Sequence, residues 1–158
     1  MPAANVERYR TQEIMTATPC QLVVKLYDKA IHSLLLAEDA IRRRDVKARH
    51  AANLKALDVI SHLTNTLDLE RGGEIAGNLQ RLYEFMCVRL VEVDVNNDPQ
   101  AARDVIGLLQ PLRASWQQLD EQIARRLYQN RPAMVPPSPS PIPPSASTAA
   151  QQRVVASV

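Results

Sequence analysis

Helix start signals divide most of this chain into segments that are joined by very short connections. Thr18, Pro19 and Gln21 form a capping-box pattern with proline at the first helical position, which predicts a helix over about residues 18–44. Asp45 can cap a second helix, expected over residues 46–68. Because the connections are short, successive helices must fold back on one another, which predicts an antiparallel bundle.

The second half of the chain repeats this pattern. Gly72 and Gly73 interrupt the helical periodicity, so a third helix is expected over about residues 74–96. Asp98 before Pro99 is another cap signal and predicts a fourth helix over residues 99–127. No segment shows the alternation of a strand. The fold class predicted for residues 18–129 is therefore an all-α, antiparallel four-helix bundle.

The two ends of the chain differ from this bundle. Residues 1–17 carry apolar side chains that include Tyr9 and Ile14, and we interpret them as a segment that covers apolar surface. Residues 130–158 contain most of the 11 prolines and no acidic or aromatic residue. Such a segment cannot bury enough apolar surface to offset its ordering entropy, so it is predicted to be disordered.

Charge and motif content exclude several classes of function. Arg131 and Arg153 account for the formal net charge of +2, so the balanced body gives no reason to expect nucleic acid as a partner. The basic run Arg42–Arg44 lies at a predicted helix C-terminus, where cations complement the helix dipole. Cys20 and Cys87 have neither disulfide nor metal-site spacing, and no catalytic motif is recognisable. We expect a protein without cofactor, metal or enzymatic activity.

The sequence also gives no sign of a membrane segment. No apolar run approaches the length that spans a bilayer, and Met1–Arg10 lacks the apolar stretch of a signal peptide. We therefore expect a cytoplasmic protein with no stable membrane insertion.

Helical periodicity assigns more apolar residues than four packed helices need. The predicted core stripes hold Val23, Leu26, Tyr27, Ala30, Leu34, Ala37, Ile41, Ala52, Ala56, Val59, Ile60, Leu63, Leu67, Ile75, Leu79, Leu82, Tyr83, Met86, Leu90, Val93, Val105, Leu108, Leu109, Leu112, Trp116, Leu119, Ile123 and Leu127. Outside these stripes remain Val24, Ile31, Leu35, Leu54, Leu57, Phe85, Val88, Val91, Val95 and Ile106. Since monomeric proteins rarely leave large apolar patches uncovered, the N-terminal segment, a second copy in a homodimer or a partner peptide should cover this surplus.

Three groups of residues then resemble, in the right order, the FliS family of flagellin-specific export chaperones. They are Thr16-Ala17-Thr18-Pro19 with Leu22-Val23 and Leu26-Tyr27-Asp28, then Leu67-Asp68, Glu70, Gly72-Gly73-Glu74-Ile75-Ala76, Asn78-Leu79, Leu82-Tyr83 and Met86, and finally Leu108-Leu109, Leu112-Arg113-Ala114 and Trp116. The resemblance covers about residues 6–123. It implies a cytosolic chaperone that binds the C-terminal segment of flagellin in apolar grooves, prevents premature polymerisation and delivers flagellin to the flagellar type III export apparatus.

The resemblance also implies site residues, to which the periodicity adds others. The matched motifs give Tyr9, Ile14, Leu22, Leu26, Tyr27, Ile75, Asn78, Leu79, Leu82 and Tyr83, and the surplus stripes give Leu54, Leu57, Phe85, Val88, Val91 and Val95. Asn78 is the best candidate for a hydrogen bond to the client backbone, because an extended peptide needs partners for its polar groups. A helical adaptor or regulator without a role in export is the alternative that the sequence leaves open.

Overall fold

A computed structural model describes residues 16–130, and four α-helices account for most of them. Helix α1 is Pro19–Arg42, α2 is Val46–Asn65, α3 is Leu69–Val95 and α4 is Pro99–Gln129. Within these residues there is no strand, which confirms the all-α prediction. None of the four helices combines the length and the apolar content that a bilayer-spanning helix requires. Almost all of the predicted covering segment, with Tyr9 and Ile14, and of the predicted disordered tail lies outside the described residues.

Local side-chain caps explain where the helices begin. The Thr18 hydroxyl accepts from the Gln21 N–H at 3.1 Å, and the Gln21 side chain accepts from the Thr18 N–H at 3.2 Å, which completes a capping box. Asp45, Asp68 and Asp98 cap α2, α3 and α4 by accepting a backbone N–H of the following turn. Each cap satisfies a donor that the helix itself cannot pair.

The helices form an antiparallel four-helix bundle, as predicted. Helix α1 packs against α2 and α4, and α3 packs against the same two helices. Tyr27 and Tyr83 meet at the centre, where their hydroxyl oxygens lie 2.5 Å apart. Burial raises the pKa of both hydroxyls, so both stay neutral. Leu34, Leu90 and Leu109 are fully buried in the same core.

The third helix begins at Leu69, five residues before the predicted start at Glu74. Asp68 caps a helical turn ahead of the glycines, and the chain then changes direction at Gly73, with φ 50° and ψ −129°. Glycine is suited to this left-handed region because it has no Cβ. The change of direction leaves Ile75 73% exposed, so its predicted place in the core is wrong.

Helix lengths differ from the predicted lengths at the other ends as well. Helices α1 and α2 end at Arg42 and Asn65, before the predicted residues 44 and 68. Their C-caps are Arg43 and Thr66. Helix α4 continues to Gln129, beyond the predicted residue 127. Its side chain at Asp120 already meets Thr18, so the last turns of α4 extend past the start of α1. Leu119, Ile123 and Leu127 are exposed, so their predicted places in the core are wrong. Ile123 and Leu127 belong to the turns that extend past the start of α1.

Candidate functional site

Helices α2 and α3 share an outward surface that is rich in exposed aliphatic side chains. We call this surface the α2–α3 face and define it by Val46, Leu54, Leu57, Val88, Val91 and Val95. Leu54 is 45% exposed, Val91 55% and Val88 63%, while Leu57 is half-buried against the core. Apolar side chains that remain this accessible on two adjacent helices offer a contact surface for another polypeptide.

Hydrogen bonds across the interface place the two halves of this face side by side. The Asn53 amide donates to the Leu90 carbonyl oxygen at 2.8 Å. Leu54 and Val91 are the next residues along their helices, and both are exposed, so they lie on the outer side of the same interface. Since Val88 and Val95 are one helical turn before and after Val91, the aliphatic surface continues along α3.

A polar network crosses the α2–α3 face between Val46 and Leu54. The Asp94 carboxylate accepts from Arg49 Nε at 3.1 Å and from the Asn53 amide at 2.9 Å, and it bonds to His50 Nδ1 at 3.0 Å. Burial alone would raise the pKa of Asp94, but the hydrogen bonds from Asn53, His50 and Arg49 together hold the pKa of this carboxyl below its ordinary value. Arg49, only 7% exposed, thereby has a charged partner. The network fixes the start of α2 against the end of α3.

The predicted site residues fall into three groups in the structure. Those that are exposed are Leu22, Leu54, Ile75, Asn78, Phe85, Val88, Val91 and Val95. Those that are half-buried are Leu26, Leu57, Leu79 and Leu82, and all four pack against the core. Tyr27 and Tyr83 are in the core, because their rings fill the centre of the bundle and their hydroxyls pair there. Neither tyrosine reaches the surface, so both support the site from below and do not line it.

The structure separates the exposed candidates in space. Leu54, Val88, Val91 and Val95 belong to the α2–α3 face, with Phe85 farther round α3. Leu22 and Ile75 lie near the opposite end of the bundle, where α1 begins and α3 bends at Gly73. Asn78 is exposed, and its side-chain oxygen accepts from the Arg81 guanidinium. The exposed residues of the α2–α3 face and those near the start of α1 and the bend of α3 therefore do not form a single patch.

Two parts of this site were not predicted. Val46 extends the α2–α3 face. The helical periodicity did not identify it, because it is the first residue of α2. Arg49 and Asp94 are 45 positions apart, and only the packing of α2 on α3 brings them together. A signal for Arg49 was present nevertheless: it stands among apolar residues on the buried side of α2, where a cation needs a partner.

The described part of the chain contains two free cysteines, and neither is activated. Burial, with a smaller contribution from Asp120, raises the pKa of Cys20, and burial beside Glu84 raises the pKa of Cys87. Both thiols therefore stay protonated and are poor nucleophiles. Within residues 16–130, no group of three or more His, Cys, Asp or Glu side chains is placed to hold a metal ion. The geometry supports contact with another polypeptide.

Known proteins are similar to this chain in sequence and in fold. The family described as "Flagellar protein FliS" matches residues 2–123. The chain is 40% identical over 107 residues to the flagellar secretion chaperone FliS of Salmonella typhimurium, covering 67% of this chain and 79% of that protein. It is 36% identical over 104 residues to the flagellar secretion chaperone FliSB of Pseudomonas aeruginosa, covering 66% and 82%.

A solved structure gives the same architecture. The crystal structure of a flagellar chaperone from bacteria superposes with a TM-score of 0.63 at 16% sequence identity, covering 77% of this chain and 99% of that chain. The family consists of chaperones and not of enzymes. Because the family match spans most of the chain and the curated relatives agree in name, this protein belongs to the FliS family of flagellar secretion chaperones.

Proposed function

We propose that this protein binds the C-terminal segment of flagellin in the cytoplasm, keeps that segment from polymerising and presents flagellin to the flagellar export apparatus. The observation that carries the proposal is the α2–α3 face, a surface with exposed aliphatic side chains from two adjacent helices, on a member of a flagellar secretion chaperone family. A flagellin segment held on this face is unavailable to another flagellin subunit. No nucleotide is consumed, since binding alone produces the effect.

The energetics allow a flexible client to bind and to be released. At about 25 cal/mol per Å², burial of about 400 Å² of apolar area contributes about 10 kcal/mol before the cost of ordering the peptide. A disordered segment loses conformational entropy on binding, and that loss leaves an affinity that still permits release. The α2–α3 face supplies aliphatic contacts along two helices, which suits a segment that folds as it binds.

A purified flagellin C-terminal peptide tests the proposal directly. The full-length protein is expected to bind the peptide at micromolar concentration or below, measured by titration calorimetry, and to delay flagellin polymerisation followed by light scattering. If the peptide does not bind at micromolar concentration, the protein is an adaptor for another partner and the flagellin proposal fails.

Val91→Asp is expected to weaken peptide binding about tenfold or more, because a carboxylate would be desolvated against the aliphatic client. The fold should survive, since Val91 is 55% exposed. Leu35→Asp is the matched control: it places the same charge at an exposed leucine of α1, on another side of the bundle. Equal losses in the two variants, measured as Kd by calorimetry, would show that the α2–α3 face is not the binding surface.

Residues 1–15 are proposed to act as the client's competitor, covering part of the apolar surface when flagellin is absent. Their deletion is expected to tighten peptide binding about threefold to tenfold, because the free surface would no longer be partly occupied. Deletion of residues 131–158 is the control and should leave the Kd unchanged. Weaker binding after deletion of residues 1–15 would instead make them part of the client site. Size-exclusion chromatography with light scattering on the same samples measures the molar mass and shows whether the protein is a homodimer.

A further inference from the structure

A cavity of about 380 Å³ lies where the α1–α2 turn meets the α3–α4 turn. Its walls include Arg44 and Asp45 from the first turn, Val46 and Arg49 from the start of α2, and Asn97 from the second turn. We call it the arginine pocket. Two cationic side chains, Arg44 and Arg49, and one acidic side chain, Asp45, line it.

One of the two arginines is held in place by the protein. Arg49 donates from Nε to Asp94 at 3.1 Å and from Nη1 to the side-chain oxygen of Asn97. Asn97 has a φ of 53°, and this left-handed conformation belongs to the turn that brings its side chain to Arg49. The Arg49 guanidinium therefore forms a rigid, partly neutralised wall of the pocket.

The other arginine is available to a ligand. Arg42 and Arg43 both pair with Asp39, whereas the side chain of Arg44 makes no ion pair with any residue between 16 and 130. The acidic side chain in the pocket is engaged elsewhere, since the Asp45 carboxylate accepts from the Ala48 N–H at 3.0 Å and caps α2. Among residues 16–130, Arg44 is thus the cation of the pocket that has no ion-pair partner, while Asp45 beside it keeps its own charge as a helix cap.

The arginine pocket shares Val46 with the α2–α3 face, and His50, paired with Asp94, lies between Val46 and Leu54. Val46 belongs to both, and it stands two to three helical turns before Leu54 and Leu57 on the same side of α2. The spacing from Val46 to Leu57 corresponds to about 16 Å of helix. Across the interface, Val95 follows Asp94, whose carboxylate holds Arg49. A peptide lying along the face towards the turns therefore arrives at Arg44.

We infer that the arginine pocket binds the terminal carboxylate of the client peptide, with Arg44 as its charged donor. This inference rests on the proposed function and adds a direction to it: the client lies on the α2–α3 face with its chain end at the α1–α2 turn. The aliphatic face supplies most of the affinity, and the pocket supplies the register. A terminal carboxylate exists once per chain, so its recognition distinguishes the end of flagellin from internal apolar segments.

Two synthetic flagellin C-terminal peptides, identical except that one ends in a free carboxylate and the other in an amide, test this inference. The wild-type protein is expected to bind the amide about tenfold more weakly, the size of one charge-assisted hydrogen bond. Arg44→Asn removes the cation while keeping a residue that tolerates the φ of 59° at this position. It should weaken binding of the free acid about tenfold and leave binding of the amide unchanged.

Arg43→Asn is the matched control, because it removes the same charge from the neighbouring residue, which pairs with Asp39 and does not line the pocket. It should still distinguish acid from amide about tenfold. Equal binding of acid and amide by the wild-type protein would overturn the inference while leaving the proposed function intact. An amide effect that persists in Arg44→Asn, or disappears in Arg43→Asn, would also overturn it. Absence of binding by either peptide would refute the proposed function itself.

Discussion

Leu63→Asp is expected to abolish the folded helical bundle at 25 °C. Leu63 is 4% exposed and belongs to the core, so the new carboxylate would be buried without a partner. Burying an uncompensated charge costs several kcal/mol, about as much as the whole stability of a domain of this size. Circular dichroism should show loss of the helical signal, and urea titration should show no cooperative transition.

Leu54→Asp is the control for this result. It places the same substitution on the same helix, at a residue that is 45% exposed. Its carboxylate can stay hydrated, so the urea midpoint should change little, while peptide binding should weaken as in Val91→Asp. A folded Leu63→Asp protein would contradict the core assignment, and an unfolded Leu54→Asp protein would contradict the assignment of the α2–α3 face.

Asp94→Asn is expected to lower the free energy of unfolding by about 2 kcal/mol at pH 7. The substitution leaves the Arg49 guanidinium buried without its charged partner, and the cost stays below that of a fully buried pair because part of the Asp94 carboxyl is exposed. Asp39→Asn is the control, since its pairs with Arg42 and Arg43 lie at the surface. It should change the free energy of unfolding by less than about 0.5 kcal/mol. Urea denaturation of both variants measures the difference.

The stabilisation that Asp94 provides, measured as the difference between wild-type protein and Asp94→Asn, should depend on pH. The folded protein holds the pKa of Asp94 below its value in the unfolded chain, which is about 3.9. The contribution of Asp94 is therefore complete above that unfolded value and is lost as the pH falls through the lower, folded pKa. The difference in the free energy of unfolding between wild-type protein and Asp94→Asn should narrow as the pH falls below about 4. A difference that widens in acid would show that Asp94 is not the stabilising carboxylate.

The sequence predicted most reliably what depends on neighbouring residues. Thr18, Asp45 and Asp98 begin helices where cap chemistry places them, because each cap involves a backbone N–H only two or three positions away. The excess apolar residues of α3 could be predicted too, since the angle between residues along a helix is fixed. Val88 and Val91 are exposed for that reason.

The sequence could not predict how far each helix extends or which other helices it contacts. Periodicity put Ile123 in the core, yet the last turns of α4 have no partner among the described helices at that level. Ile106 was expected outside the core stripe and is 8% exposed, because α4 is contacted from two sides. The arginine pocket likewise joins residues of two turns that are distant along the chain.

The antiparallel order of the four helices has a practical consequence for labelling the protein. An antiparallel bundle of four helices brings residues 16 and 130 to one pole, while the α1–α2 and α3–α4 turns form the opposite pole. Residues 16 and 130 therefore lie at the pole opposite to the arginine pocket. A fluorescent label attached at either of these two residues would report on the peptide site without occupying the pocket.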